Sequence, residues 1–417
     1  MTSAPAEQPS LEEFVDAARD WLAAHAQPRQ ASTGSARWGE GTDNVSVFHD
    51  LTAEQERALL DAAMAWQREK FDAGYGAITW PVEHGGAGLP SAYQRAFRRE
   101  EARYVTPAPH ETHSVTMSLV APTIRAVGTQ EQKDRFLRRF LRSEELACQL
   151  FSEPGAGSDL AGLTTRAVRD GDEWVLDGQK VWSSGAQYAQ WGEIICRTDF
   201  VVPKHQGMTA FMVPMDAPGI TVRPIRQMSG GSTFNEVFLE GVRISDDLRL
   251  GPVGGGWKVA LTTLGFERGG SGARGGSYRE VLALARWLGR TDDPVVRQKL
   301  AELYTQYQVQ SINSRRIVAG LKAGRPPGPE GSISKLLYTQ HQQALGETVA
   351  MLLGPRLTAD TGEWGTFAWA TFLLGAIGNR IAGGADQIQR NIIGERVLGL
   401  PDEPRVDRDV PFRDVPR

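Results

Sequence analysis

The chain has 417 residues and a formal net charge of -4, a length that allows about three domains of ordinary size. Its basic and acidic residues are interspersed, which argues against the clustered basic surface of a nucleic-acid-binding protein. Cys148 and Cys196 are too few for a disulfide framework or a cysteine-rich zinc site. The first residues lack the basic and apolar regions of a signal peptide. The composition therefore predicts a cytoplasmic protein with no metal site.

Residues 1–145 are predicted to form an N-terminal helical domain. Three segments with a helical hydrophobic period each follow a capping-box signature, in which the side chains of a Ser or Thr and of a Glu or Gln three residues later satisfy free backbone N–H groups. These pairs are Ser10 with Glu13, Thr52 with Gln55, and Thr129 with Gln132. The stretch "GAITWPVEHGGAGLP" between the helical segments is predicted to be a loop because it is rich in Gly and Pro.

Residues 146–251 change to the pattern of β-strands. Short β-rich runs such as "EWVLDGQKVWSS", "GEIICRT" and "TAFMVPM" are separated by turn signals such as "RDGDE" and "DAPG". This pattern predicts a central antiparallel β domain.

Residues 252–401 return to helical spacing, and their long amphipathic segments are typical of a helix bundle. The most apolar run, "FAWATFLLGAIG", is too short to span a bilayer and predicts a buried helix. Residues 402–417 are charged and rich in proline, which predicts an exposed tail. Helices, strands and then helices again indicate an α+β chain.

The stretch "LFSEPGAGSDLAG" has the composition of a loop that binds a ligand. It has neither the Lys-Ser/Thr ending of a P-loop nor the G-x-G-x-x-G of a dinucleotide-binding turn. Its glycines allow the backbone to approach a ligand closely, and Ser152 and Ser158 offer hydroxyl groups. From the residues alone, a surface loop that joins the helical and β layers is the favoured interpretation.

Taken together, the segments resemble the acyl-CoA dehydrogenase family in their order along the chain. The matching runs include "WPVEHGGAGLP", "FSEPGAGSDLAGL", "DGQKVWSSGA", "FNEVFLEGVRI" and "DQIQRNIIGERVLGLP". The resemblance implies an N-terminal helical domain, a central β domain and a C-terminal four-helix bundle, with FAD between the β domain and the bundle. It also implies removal of an α-proton from an acyl thioester while a hydride leaves the β-carbon.

The resemblance also assigns site residues. Those that match its cofactor-binding segments are Gln149, Phe151, Ser152, Ser158, Trp182, Ser184, Gly384 and Gln387. In the family, the residue matching Trp182 lies against the flavin ring, and the residue matching Ser184 bonds flavin N5. Ser158 also matches the contact to the thioester arm of the substrate, and Arg268 matches a position near CoA. Composition alone favours a core aromatic residue of the β domain for Trp182, whereas its place between "DGQK" and "SSG" favours the flavin contact.

The catalytic base occupies one of two positions in the family. The first position, just before the "IQR" run, is Gly383 here and carries no carboxylate. The second position is on the first bundle helix, where this chain has Glu267. Helical spacing places Glu267 on the face of Ala260 and Leu264, although an exposed Glu paired with Arg is the commoner fate of such a residue. Asp386 is the second candidate base.

Three departures concern the family's contacts to the far end of FAD. "WLGRTDDPVVRQ" lacks an Arg-x-x-Phe-Gly run, Met351 replaces a Gln, and Ala385 replaces a Thr.

The leading hypothesis is an FAD-dependent acyl-CoA dehydrogenase that passes electrons to an electron-transfer flavoprotein or similar acceptor. We expect a homodimer or homotetramer, or a heteromer with a related chain, and no membrane span. The alternatives are a non-catalytic or half-active subunit of a heteromeric dehydrogenase, and a flavin monooxygenase or oxidase on the same fold.

Overall fold

The structure, a computed structural model, describes residues 8–29, 38–39, 43–48, 50–267, 276–325, 328–405 and 407–415. The N-terminal layer contains helices α1 (Leu11–His25), α2 (Ala53–Asp72), α3 (Ser91–Glu101), α4 (Glu111–Val115), α5 (Ala121–Val127) and α6 (Gln130–Leu141). A π-helical turn, Thr116–Val120, connects α4 to α5. Two short strands, β1 (Gln27–Pro28) and β2 (Tyr104–Val105), pair within this layer.

The three predicted capping boxes are confirmed. Helices α1, α2 and α6 begin directly after Ser10, Thr52 and Thr129, and both reciprocal hydrogen bonds of each box are present. Each box satisfies N–H groups that the first helical turn leaves without a partner. These helix starts were therefore encoded locally.

The central layer is one sheet of eight strands. Its strands are β3 (Ala147–Leu150), β4 (Arg166–Asp170), β5 (Glu173–Lys180), β6 (Trp191–Arg197), β7 (Met208–Pro214), β8 (Ile220–Ile225), β9 (Phe234–Ser245) and β10 (Arg249–Leu250). The order is β10-β7-β6-β4-β5-β9-β8, and β3 pairs with β6. Most pairings are antiparallel as predicted, whereas β3 and β4 run parallel to β6. Strand β3 arrives directly from the helical layer, so no hairpin fixes its direction.

The third layer contains α7 (Gly256–Glu267), α8 (Tyr278–Trp287), α9 (Pro294–Lys322), α10 (Gly331–Leu353), α11 (Ala368–Asn379) and α12 (Asp386–Ile392). Helices α8 to α11 share one apolar core that includes Leu284, Leu303, Val349 and Phe372. Helices, a sheet and a bundle confirm the predicted α+β class.

Helix α11 is the predicted apolar helix, but only one of its faces is buried. Trp369 and Phe372 are buried, whereas Leu374 is 40% exposed and Ile377 is 60% exposed. The helix is apolar on both faces, and the described residues cover only one. Among the described residues, no helix combines the length and apolarity needed to cross a membrane.

The C-terminal segment also differs from the prediction of a wholly exposed tail. Residues 402–405 are exposed, but the side chain of Phe412 is buried against the β domain. The backbone N–H of Phe412 donates to the carbonyl of Val202 at 3.0 Å. The segment therefore docks through one aromatic anchor in an otherwise polar sequence.

Candidate active site

The 152–163 loop begins at a buried ion pair. The Lys180 ammonium lies 2.9 Å from Glu153 Oε1 and also donates to the carbonyls of Phe151 and Ile195. Glu153 also accepts from the backbone N–H groups of Thr164 and Thr165. Burial raises the pKa of Glu153, but the Lys180 charge and these hydrogen bonds outweigh it and lower the pKa to about 2. Glu153 therefore stays ionised and fixes both ends of the loop.

The loop lies beside the segment 181–185 that follows β5. The N–H of Val181 donates to the carbonyl of Ser152 at 2.9 Å, which brings the two predicted flavin segments together. Trp182 has a positive φ of 61° and its side chain is 59% exposed. A positive φ is unfavourable for a bulky residue, and strained conformations of this kind cluster at functional sites. The indole of Trp182 is therefore largely accessible to a ligand and is not part of the core of the sheet.

Ser184 contacts the N-terminal layer. Its hydroxyl donates to Glu111 Oε1 of α4 at 3.1 Å. Gly185 has a φ of 63°, and a Cβ added there would overlap the side chain of Thr112. Glycine at this position thus allows α4 to approach the predicted N5 partner closely. Sequence reasoning did not identify Glu111, because nothing local connects it to a residue so far along the chain.

Glu267 ends the described part of α7 and is half-buried. Its carboxylate lies beside Gly383: a Cβ added to Gly383 would be 2.9 Å from Glu267 Oε1 and 3.7 Å from Cδ. The two positions considered for the base therefore meet in space. With Glu267 in this place, a side chain at Gly383 would have to displace it.

Asp386 is held in a structural role. It is 1% exposed, and its oxygens accept from Thr339 Oγ1 and Arg380 Nε, each at 2.8 Å. Lys335 lies nearby and donates to the carbonyls of Asn379 and Gly384. Burial lowers the pKa of Lys335, and the charges of Asp386 and Glu267 partly oppose that shift. One lysine thus anchors the turn that contacts Glu267.

The remaining predicted positions lie in the bundle, on the 152–163 loop or outside the described residues. The Gly384 carbonyl bonds within the bundle, and Gln387 is exposed at the start of α12. Met351 is 36% exposed on α10. Ser158 is exposed on the 152–163 loop. Arg268, the predicted CoA contact, lies outside the described residues.

The residues near segment 181–185 fit a flat polar cofactor. Trp182 offers an exposed aromatic face, and three buried side-chain atoms have no hydrogen-bond partner within the described part of the chain: Gln149 Nε2, Ser183 Oγ and Thr233 Oγ1. Buried polar atoms without a partner are uncommon in folded proteins. A ligand with donors and acceptors on its rim, such as the flavin of FAD, suits this surface. The described residues hold no cluster of His, Cys, Asp and Glu suited to a metal ion.

Sequence profiles of one family match all three layers. The N-terminal domain of acyl-CoA dehydrogenase matches residues 8–144, the middle domain matches 148–242, and the C-terminal domain matches 254–398. The matches follow the order of the observed helical, β and bundle layers.

Individual proteins agree with the profiles. Acyl-CoA dehydrogenase IpdE1 of Mycobacterium tuberculosis is 41% identical over 355 residues, which cover 84% of this chain and 91% of that protein. The structure called Tcur3481-Tcur3483 steroid ACAD has a TM-score of 0.72 at 26% identity and covers 95% of this chain and 99% of its own. The ChsE4-ChsE5 complex from Mycobacterium tuberculosis has a TM-score of 0.70 at 27% identity, covering 96% of this chain and all 100% of its own.

Proposed function

The chain belongs to the acyl-CoA dehydrogenase family, and we propose that it binds FAD and introduces an α,β double bond into an acyl-CoA with Glu267 as the base. It is an oxidoreductase that acts on acyl-CoA, as its relatives are. The contact between Glu267 and Gly383 is the observation that supports this mechanism best.

Glu267 would remove the α-proton of the thioester. That proton is weakly acidic, so its removal needs a fixed carboxylate and hydrogen bonds to the thioester carbonyl. The half-buried Glu267 lies against the turn that Lys335 and Asp386 hold in place, which limits the freedom of its carboxylate. A base held in one geometry loses less entropy on reaching the transition state.

Gln149, Phe151, Ser152, Trp182 and Ser184 would hold the flavin, because they lie on the two segments joined by the Val181–Ser152 hydrogen bond. Gly384 and Gln387, which lie in the C-terminal helix bundle, would also contact FAD. When bound, FAD supplies the acceptor for the β-hydride. Ser158, on the exposed loop, would contact the thioester arm, with Arg268 near CoA. An electron-transfer flavoprotein or similar protein would take the electrons.

The substrate class we propose is a ring-bearing acyl-CoA. The support is the name of a similar solved structure, which is described as a steroid ACAD. Straight-chain and branched esters are therefore the comparison set.

The test is flavin bleaching by a panel of acyl-CoA esters under anaerobic conditions. We expect the wild type to bleach with ring-bearing esters and Glu267→Gln to keep bound FAD while turnover falls by about 10³-fold or more. Asp386→Asn is the comparison variant. It weakens the turn beside Glu267 and leaves the Glu267 carboxylate in place, so it separates loss of the base from loss of the structure that supports it. Near-normal turnover by Glu267→Gln would assign the base to another residue. Rapid oxygen consumption without a CoA ester would favour the monooxygenase or oxidase alternative.

A second candidate function is supported by Met351 and Ala385, which replace the polar residues that the family uses toward FAD. In this alternative the chain completes the flavin site of a different dehydrogenase chain. Two similar solved structures carry names that join two proteins, Tcur3481-Tcur3483 and the ChsE4-ChsE5 complex. A purified chain that is colourless and inactive alone, but active with a related chain, would favour this alternative.

A further inference from the structure

Two buried cations connect the C-terminal segment 407–415 to the 152–163 loop. Arg197 ends β6 and is 0% exposed, and Lys204 lies between β6 and β7 and is 4% exposed. Each of them contacts both the loop and the C-terminal segment. Buried cations are stable only when their hydrogen-bond donors are satisfied, so each constrains the groups around it.

Arg197 holds the end of the loop. Its Nη2 donates to the carbonyls of Ala161 at 2.6 Å and Leu163 at 3.3 Å. Arg197 also contacts an aromatic ring, because its guanidinium carbon lies 3.8 Å from the centre of the Phe412 ring. Phe412 therefore covers a desolvated guanidinium, an arrangement in which cation–π attraction is strong.

Lys204 holds the loop next to Ser158. Its ammonium lies 2.9 Å from both carboxylate oxygens of Asp159 and 2.5 Å from Asp407 Oδ2. Asp159 is itself largely exposed, with 59% of its side chain accessible. The shared lysine thus ties an exposed loop residue to the C-terminal segment.

The C-terminal segment is fixed in turn by its own backbone. Phe412 and Arg413 donate to the carbonyls of Val202 and Phe200, each at 3.0 Å. Phe412 is 4% exposed. The ring and the two backbone bonds therefore define where this segment docks.

We propose that Phe412 and Asp407 are positioning residues for the substrate: through Arg197 and Lys204 they hold the 152–163 loop in the shape that binds the CoA ester. The proposal rests on the proposed function, because that function gives Ser158 its role. The loop contains Gly155 and Gly157, at which an added Cβ would meet nothing within 4 Å. Glu153 fixes the two ends of the loop, but without further anchors its glycine-rich middle would lose entropy on each binding event. Chemistry at Glu267 would be unaffected, since Glu267 lies in another layer.

The experiment compares Phe412→Ala and Asp407→Asn with the wild type and with Arg413→Ala. Arg413 is the matched control because its side chain is 60% exposed and its ion pair is with the neighbouring Asp414. We expect Phe412→Ala to raise KM for an acyl-CoA by about tenfold with kcat and bound FAD unchanged. Asp407→Asn is expected to raise KM less, and Arg413→Ala to match the wild type. Hydrogen exchange of residues 155–163 is expected to speed up in the first two variants, with or without FAD.

Unchanged KM and unchanged loop exchange in both variants would overturn the proposal, as would a fall in kcat without a rise in KM. If Phe412→Ala loses FAD or unfolds, Asp407→Asn decides the question, because it removes one charge and leaves the ring anchored. Failure of the proposed function gives a different result: the wild type itself would not bleach with any ester. The exchange measurement would then still report whether the segment controls the loop.

Discussion

Glu193 is a carboxyl group that the sequence places in the middle of an apolar strand. It lies on β6, is 0% exposed, and accepts from Thr263 Oγ1 of α7 at 2.6 Å. Thr263 also accepts from Thr123 of α5, so the three residues connect all three layers. Burial raises the pKa of Glu193 to about 8, with the Thr263 hydrogen bond opposing the shift. Glu193 is therefore neutral at neutral pH.

This raised pKa predicts how stability changes with pH. Between about pH 4.5 and pH 8 the folded chain holds a proton on Glu193 that the unfolded chain releases, so stability falls as pH rises through this window. Glu193→Gln keeps the shape and cannot ionise. We expect its melting temperature to exceed that of the wild type increasingly from pH 5 to pH 8.5. The exposed Glu240→Gln is the control, and a constant difference across this pH range would contradict the assignment.

Trp182 is expected to favour FAD binding at some cost to the stability of the apoprotein. Its positive φ of 61° is strained, and its exposed side chain gains little from burial. Trp182→Gly should therefore leave the apoprotein as stable or more stable by up to about 1 kcal/mol, while FAD affinity falls. Thermal unfolding without FAD and a fluorescence titration with FAD measure the two effects. A clear loss of apoprotein stability would show that the indole contributes to the fold.

At the scale of elements, two identical capping boxes differ in their surroundings. Gln55 at the start of α2 is exposed, whereas Gln132 of α6 is 5% exposed. Gln132 also donates to the carbonyls of Asp247 and Arg249, at the end of the β layer. The same local signal thus serves a helix start in one place and a contact between layers in the other.

The two boxes form a matched pair for mutation. Gln55→Ala should cost about 0.5–1 kcal/mol, the usual value for a helix cap. Gln132→Ala should cost more, because two partly buried carbonyls, those of Asp247 and Arg249, also lose their donor, at about 1 kcal/mol each. Urea denaturation of both variants measures the difference. Equal midpoints would mean that water replaces the lost contacts between layers.

At the scale of the whole molecule, the helix bundle carries many large apolar side chains that are exposed to solvent. The large apolar residues exposed on it include Val309, Ile312, Val318, Leu321, Leu374, Ile377 and Ile381. Large exposed apolar patches mark interaction sites. We expect light scattering to show at least two chains in each particle, and low urea to release FAD in parallel with dissociation. A monomer that keeps FAD would contradict this link between assembly and cofactor binding.

The sequence by itself determined the order of the layers and the starts of three helices. Capping boxes and hydrophobic periods act between residues a few positions apart, so they can be read without knowing the path of the chain. The family resemblance added the two candidate positions for the base, and it named the segments expected to hold FAD.

Only the tertiary structure decided which distant groups meet. The contact of Glu267 with Gly383, the bond from Ser184 to Glu111, and the ring of Phe412 over Arg197 each join separate layers or segments. The tail sequence is polar and rich in proline, and no residue near Phe412 in the sequence indicates that its ring packs on Arg197. Burial and pairing depend on what the rest of the chain places opposite each side chain. For that reason the helix starts were predictable, whereas the partners of Glu193, Asp407 and Phe412 were not.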